Sequence, residues 1–437
     1  MEKVAFRNLG CKVNEYEMEY MQQRMAENGF EIVPFDSKAD IFVINTCTVT
    51  NIADRKSRQM LHRAKKMNPD SIVVAVGCFV QTDTEGAAKD SAVDIIIGNN
   101  KKSLLPEIVR EYLDTGKYTG ETVVDLTKPV EYENMHIEKT AEHTRAFVKI
   151  QDGCNQFCSY CAIPLARGRI RSRDLESILS ECRALSKNGY REVVITGIHL
   201  SSYGLTCSYN SVAGTDGYTN QKLIEVIREV ARIEGIDRIR LGSLEPRLIT
   251  EEFLKEVSKI DKLCPHFHLS LQSGCDETLK RMNRKYTTKE FAGAVELLRK
   301  YYENPAITTD VIVGFPGETE EEFEKTEKFL RKISFSKMHI FKYSRRKNTV
   351  ADTLPMQVSD RDKDIRSDKL LKLSDELGEK YKRLFDKKEV EVLFEECKNG
   401  EYTGHTREYL IFRTASLENL CGKIVRMNAD GESLYFE

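Results

Sequence analysis

The chain has 437 residues, 40% of them apolar and 31% charged, with a net charge of −2. That length exceeds one ordinary core and predicts a globular protein of two or three domains. No apolar run approaches the roughly 20 residues of a membrane span, the opening "MEKVAFRNLG" lacks a signal h-region, and the near-neutral balance carries no global nucleic-acid signature.

The first strand-like run, "VAFRNLGC", ends on Cys11. The same pattern recurs in "IFVINTC", ending at Cys47, and in "IVVAVGC", ending at Cys78. Helical patterns lie between them: "NEYEMEYMQQRMAENG" stops at Gly29, and "NIADRKSRQMLHRAKKMN" follows the second cysteine. Strands alternating with helices over residues 1–125 predict an α/β domain with a doubly wound parallel sheet. Ligands of such sheets gather at the carboxyl ends of the strands, where Cys11, Cys47 and Cys78 sit.

Residues 126–144, "LTKPVEYENMHIEKTAEHT", read as a linker. A second βα series occupies 145–370, with strands in "RAFVKIQDGC", "EVVITGI", "DRIRLGS", "HFHLSLQSG", "TTDVIVGFPG" and "SKMHIFKYS". Six such units predict a partial or open barrel. Within it, "SYGLTCSYNSVAGTDGYTN" (202–220) reads as a long loop. From 371 to 437 the short runs "VEVLFEE", "YTGHTREYLIFRT" and "GKIVRMN" predict a small all-β barrel. Twelve cysteines in a chain expected in the cytoplasm point to metals or catalysis rather than disulfides.

The chemistry concentrates in "GCNQFCSYC", which spaces Cys154, Cys158 and Cys161 as C-x3-C-x2-C on a loop after a strand. Three thiolates so close in sequence can hold three irons of a [4Fe–4S] cluster and leave the fourth iron open. A zinc loop is the alternative, but zinc favours paired C-x2-C units or histidines, and none lies nearby.

This loop, leaving the first strand of a βα series, resembles the radical S-adenosylmethionine (SAM) superfamily. Three separated N-terminal cysteines and a C-terminal β barrel extend the likeness: nearly the whole chain resembles the radical SAM methylthiotransferase family. The resemblance implies that SAM chelates the open iron of the cluster at Cys154, Cys158 and Cys161 and is cleaved there to a 5′-deoxyadenosyl radical. It implies a second [4Fe–4S] cluster at Cys11, Cys47 and Cys78 that carries a sulfur to be methylated, and a C-terminal TRAM-like domain that binds RNA. The segments "GCKVN", "NTCTVT" and "QDGCNQFCSYCAIPLARGRIRSR" resemble the branch that methylthiolates C2 of N6-threonylcarbamoyladenosine at tRNA position 37. Other branches act on isopentenyladenosine or on a ribosomal-protein aspartate. The implied partners are a tRNA anticodon stem-loop and an electron donor such as flavodoxin or ferredoxin, with the chain a monomer. The rival reading outside enzymes is an RNA-binding module with structural metal.

Strand ends of the barrel supply the SAM-pocket candidates. These are Gly197 in "ITGIHL", Ser243 and Glu245 in "GSLEP", Gln272 and Ser273 in "LSLQSG", and Gly314 with Gly317 in "DVIVGFPGE". For RNA, "RGRIRSR" supplies Arg167, Arg169, Arg171 and Arg173, whose planar forks suit phosphate. Residues 55–66, 280–286 and 344–348 add basic patches. The C-terminal segment 371–437 has 11 Lys and Arg against 14 Asp and Glu, an acidic balance for an RNA module. There Arg407, Arg413, Lys423 and Arg426 are candidate contacts, with Tyr402, Tyr409 and Phe412 as stacking candidates.

Overall fold

The computed structural model describes residues 1–139, 144–205 and 220–436. Most of the loop expected at 202–220, including Cys207, lies outside the described residues. No helix among the described residues is long and apolar enough to cross a membrane.

The first sheet is parallel. Its strands are β1 (Lys3–Asn8), β2 (Glu31–Val33), β3 (Ile41–Thr46), β4 (Ile72–Gly77) and β5 (Ile95–Ile97), in the order β2-β1-β3-β4-β5. Alternation along each strand feeds two apolar layers. Val4, Phe6 and Val43 pack with Met18, Met21 and Met25 of the helix Lys12–Glu27 and with Ile108 of the helix Leu105–Thr115. Ala5, Phe42 and Ile44 face the other way, onto Leu61 and Ala64 of the helix Asn51–Met67. Helices on both faces make the domain doubly wound, as the sequence predicts.

The second series supplies six parallel strands: β6 (Ala146–Asp152), then, after the short β7 (Arg171–Ser172), β8 (Glu192–Gly197), β9 (Arg238–Leu241), β10 (His266–His268), β11 (Ala306–Val313) and β12 (Lys337–Lys342). They form two sheets, β7-β6-β8-β9 and β10-β11-β12, joined by the isolated bridges Ile239–Leu263 and Leu244–Leu269. Only β7 runs antiparallel, against β6. The result is a partial (βα)6 barrel with one continuous core that includes Val148, Ile195, Leu241, Phe267 and Val311. Two of its helices start at complete capping boxes, Thr287 with Glu290 and Thr319 with Glu322, which satisfy otherwise orphaned N-terminal amides.

The third unit is an antiparallel sheet of β13 (Glu389–Lys398), β14 (Glu401–Thr406), β15 (Ile411–Ala415), β16 (Ile424–Asn428) and β17 (Leu434–Tyr435), in the order β16-β13-β14-β15-β17. No pairing between its edge strands β16 and β17 occurs among the described residues. The helix Asp360–Lys382 serves two cores: Leu370, Leu373 and Leu377 pack into the barrel, and Tyr381 into the third unit. A boundary at residue 370 therefore cuts a continuous helix.

The third unit docks where the barrel strands begin. Arg238, the first residue of β9, bonds Glu391 at 2.9 Å, and Arg240 bonds the Arg407 carbonyl at 3.0 Å. Segment 126–144 is not a free tether either. Met135 and Ile137 are buried against Tyr16, Tyr20, Phe147 and Val194, because the inner side of β6 and β8 needs an apolar cover that the open barrel lacks. The helix Lys12–Glu27 of the first domain supplies the rest of that cover.

Candidate active site between two cysteine sets

The three N-terminal cysteines follow adjacent strands. Asn8 pairs with Asn45, and Thr46 with Gly77, so Cys11, Cys47 and Cys78 emerge side by side at one edge. Neighbouring strands lie about 4.8 Å apart, which sets the scale of their separation. Cys11 caps the helix Lys12–Glu27, and Cys78 opens the helix Cys78–Thr82. Ser57 fixes Cys47, its hydroxyl accepting from the Cys47 amide and donating to the Cys47 carbonyl, both at 3.3 Å. Gly10 has no room for a side chain: a Cβ there would lie 2.8 Å from Asn14 Nδ2 and 3.3 Å from Cys47 Cβ. Burial and the neighbouring Cys78 push the Cys47 thiol up to about 12.

The second set sits on the loop after β6. Gly153 turns the chain at φ +71°, and a Cβ there would lie 1.8 Å from the Arg169 carbonyl oxygen. The Cys154 amide donates to Gly168 O at 3.0 Å, and Ser159 is tied to Met282 O at 3.0 Å and Arg281 O at 2.8 Å. Burial and the nearby Cys158 push Cys161 to about 12, and burial with Cys161 raises Cys154. Burial raises any thiol, so these shifts do not by themselves mark ligands; metal binding would have to displace the protons. Among the described residues no three His, Cys, Asp or Glu side chains converge on a point as one metal ion requires.

Further residues join this site, Arg284 from the basic stretch 280–286 among them. Arg284 donates to Cys158 Sγ at 3.2 Å and to Ser270 O at 3.2 Å. His199 lies 3.5 Å from Glu245, and Arg247 donates to the same carboxylate at 2.7 Å. Burial works against the Glu245 charge, but the His199 bond and Arg247 hold its carboxyl down to about 2. His268 stands 3.2 Å from Asp310.

Among the SAM-pocket candidates, Glu245 is buried at the barrel end and Ser243 is exposed beside it. Gly197 closes β8, where a Cβ would lie 2.9 Å from Gln151 Cβ. Gln272 adopts φ +71°, rare for a residue with a side chain, between two strand bonds to Asp310 O and Ile312 N. Ser273 is turned to Thr326 at 3.3 Å, a structural contact. Gly314 is closed off by Lys363, whose Cγ would lie 2.3 Å from a Cβ, so its space belongs to the helix Asp360–Lys382.

The arginine run corrects the expectation of RNA contact. Arg167, Arg171 and Arg173 are buried. Arg167 forks onto Glu17 at 2.5 and 2.9 Å and donates to Asn14 Oδ1 at 2.6 Å. Arg173 pairs with Glu181, and Arg171 stands 3.5 Å from Asp152. Only Arg169 reaches outward, stacked 4.5 Å from the ring of the exposed Phe157. In the C-terminal unit Tyr402 and Phe412 are core residues, Tyr409 is enclosed by His266 and His405, and Arg407 donates to Leu263 O. Arg413 and Arg426 pair with Glu401 and Glu389 at the surface and stay exposed, as does Lys423. The patch at 280–286 loses Arg281 to Glu322 and Arg284 to Cys158, and that at 344–348 loses Arg346, which donates to Asn51 at 2.7 Å.

Between the two cysteine sets lies a buried ionic group. Glu17 accepts from Arg167, from Lys149 at 2.6 Å and from Lys102. Asp152 takes Lys149 at 2.6 Å and Arg167 at 3.3 Å. Burial alone would raise the Glu17 carboxyl, but Arg167, Lys102 and Lys149 hold it well below the usual carboxylate range.

A family model described as the Radical SAM superfamily matches residues 148–330, the class to which the open barrel and its cysteine loop correspond. A model described as Uncharacterized protein family UPF0004 matches residues 3–98. The threonylcarbamoyladenosine tRNA methylthiotransferase MtaB of Bacillus subtilis is 38% identical over 98% of this chain and 93% of its own. Its namesake from Aquifex aeolicus is 40% identical over 88% of this chain and 90% of its own. The tRNA-2-methylthio-N(6)-dimethylallyladenosine synthase of Finegoldia magna is 35% identical over 95% and 89%. The chain belongs to the radical SAM methylthiotransferase family. In fold it is similar to the radical SAM methyltransferase TsrM from Kitasatospora setae, with a TM-score of 0.59 at 15% identity over 80% of this chain and 74% of that one. Membership implies a [4Fe–4S] cluster and SAM, and the loop fits them: three half-buried thiols, a guanidinium on one sulfur, and a buried carboxylate at the same barrel end.

Proposed function

We propose that this enzyme methylthiolates C2 of N6-threonylcarbamoyladenosine at position 37 of tRNA, with Cys11, Cys47 and Cys78 holding a second [4Fe–4S] cluster. The observation that carries the reading is the pair of cysteine sets tied to one buried group: Asn14 Oδ1 meets both Cys11 Sγ, at 3.9 Å, and Arg167. When bound, the clusters and SAM supply the one-electron chemistry and the sulfur. The chain's part is to place them. Arg284 and the loop amides hold the Cys158 side, Glu245 with His199 offers a fixed carboxylate for a SAM hydroxyl or amine, and the helix Lys12–Glu27 seals the open barrel against water.

The proposal includes a cytoplasmic setting, a monomeric chain, and flavodoxin or ferredoxin as electron donor. RNA contact runs along the outer face of the helix Asn51–Met67, whose exposed Arg55, Lys56 and Lys66 carry no ion pair among the described residues. That helix starts four residues after Cys47. Lys423 offers a further contact from the TRAM-like sheet.

The test is mass spectrometry of tRNA nucleosides from cells lacking the gene, beside iron counts on the purified chain. Loss of the methylthio form of threonylcarbamoyladenosine is expected. Loss of the dimethylallyl form instead would assign the chain to the second group of relatives, and unchanged nucleosides would move it to a protein substrate. Cys11→Ala should lower iron from about eight to about four per chain.

A further inference from the structure

The buried group between the cysteine sets is not neutral in itself. Lys102, Lys149, Arg167 and Arg171 face two carboxylates, Glu17 and Asp152, and all six side chains are at least nine-tenths buried. Two positive charges are left over where uncompensated charge is costly. The guanidinium nitrogens of Arg171 and the Nε of Arg167 have no hydrogen-bond partner among the described residues. The compensating anions must lie close by.

Two asparagines point to them. Asn14 is oriented without ambiguity: its amide donates to Leu9 O at 3.3 Å and Thr46 O at 3.1 Å, so its oxygen faces Arg167 and Cys11. Asn99 donates to Cys78 Sγ at 3.5 Å and to the carbonyl of Ala166, the neighbour of Arg167, at 2.7 Å. Each asparagine thus joins an N-terminal cysteine to the short helix Ile163–Arg167.

We propose that Arg167, with the surplus charge of this buried group, is the counter-charge of an anionic sulfur centre at Cys11, Cys47 and Cys78, and that through Asn14 and Asn99 it fixes that centre against the Cys154–Cys161 loop. The inference rests on the reading that those three cysteines hold a cluster. Arg167 is a positioning residue: it touches the asparagine that contacts the sulfur. A fixed cation favours the state with one more electron, so it raises the reduction potential of the centre.

The test uses the full chain carrying Cys154→Ala, Cys158→Ala and Cys161→Ala, reconstituted anaerobically so that only the N-terminal centre remains. Its potential is followed by EPR during a redox titration. Arg167→Met should lower the potential by at least a tenfold change in the oxidised-to-reduced ratio, about 59 mV for one electron. Arg167→Lys should restore most of the difference. Arg171→Met removes a charge held by only one 3.5 Å contact and should shift the potential in the same direction, even if Arg167→Met fails to fold. Unchanged potentials in the folded variants would overturn the inference. Failure of the underlying reading looks different: Cys11→Ala in the otherwise unaltered chain would leave iron content and spectrum as they were, and the inference would fall with it.

Discussion

The imidazole of His266 and the phenol ring of Tyr409 stack 4.9 Å apart, 23° from parallel. His405 covers Tyr409 at 4.4 Å, and the cations of Arg240, Arg145 and Lys12 approach its ring at 4.7, 4.9 and 5.8 Å. One side chain from the turn between β14 and β15 thus closes the end of the barrel where β9 and β10 begin. Removing it leaves a cavity edged by buried charge. Tyr409→Ala should cost about 3 kcal/mol in denaturant unfolding and speed proteolysis around residues 383–388.

His266 makes this closure sensitive to acid. Burial, with the charges of Arg240, Lys12, His268 and His405, holds its imidazole well below the ordinary range. The unfolded chain binds a proton near pH 6.5 and the folded chain does not, so stability is full above that value and falls as pH drops below it. Thermal denaturation between pH 7.5 and 5.5 should show this loss. His266→Gln should flatten that part of the profile.

Gly153→Ala tests the cluster loop. A methyl at φ +71°, 1.8 Å from the Arg169 carbonyl, forces the loop away from its place. About four of eight irons should be lost, the N-terminal centre remaining. An unchanged iron count would show that the loop tolerates the shift.

The outer face of the helix Asn51–Met67 should carry phosphate contacts. Lys56→Glu with Lys66→Glu should weaken tRNA binding and reduce the slope of log affinity against log salt by roughly 0.7–0.9 for each phosphate no longer neutralised. SAM cleavage without tRNA, driven by a chemical reductant, should stay as it was.

The parallel N-terminal sheet, the open barrel and both cysteine sets were legible in the sequence because periodicity and strand-end spacing are local properties. Ion pairing was not. Nothing in "RGRIRSR" announces that Arg167 meets Glu17, 150 residues earlier, at 2.5 Å. A run of arginines reads the same whether it faces solvent or a buried carboxylate. The acidic pattern "NEYEMEY" held a faint signal, since Glu17 and Glu19 occupy buried positions of a helix. Likewise Tyr402 and Phe412 looked available for stacking because a lone strand does not disclose which of its faces is covered.

The helix Lys12–Glu27 is buried on two sides, with Met18, Met21 and Met25 on its own sheet and Tyr16 and Tyr20 against Phe147 and Val194 of the barrel. Tyr16 also donates to Glu181, 165 residues on, at 2.9 Å. A gene fragment encoding either half would therefore translate into a protein with an unsealed wall of tyrosine, glutamate and lysine. The two halves cannot be exchanged between enzymes as cassettes: a recombinant joined near residue 125 would have to bring both sides of that wall from the same parent.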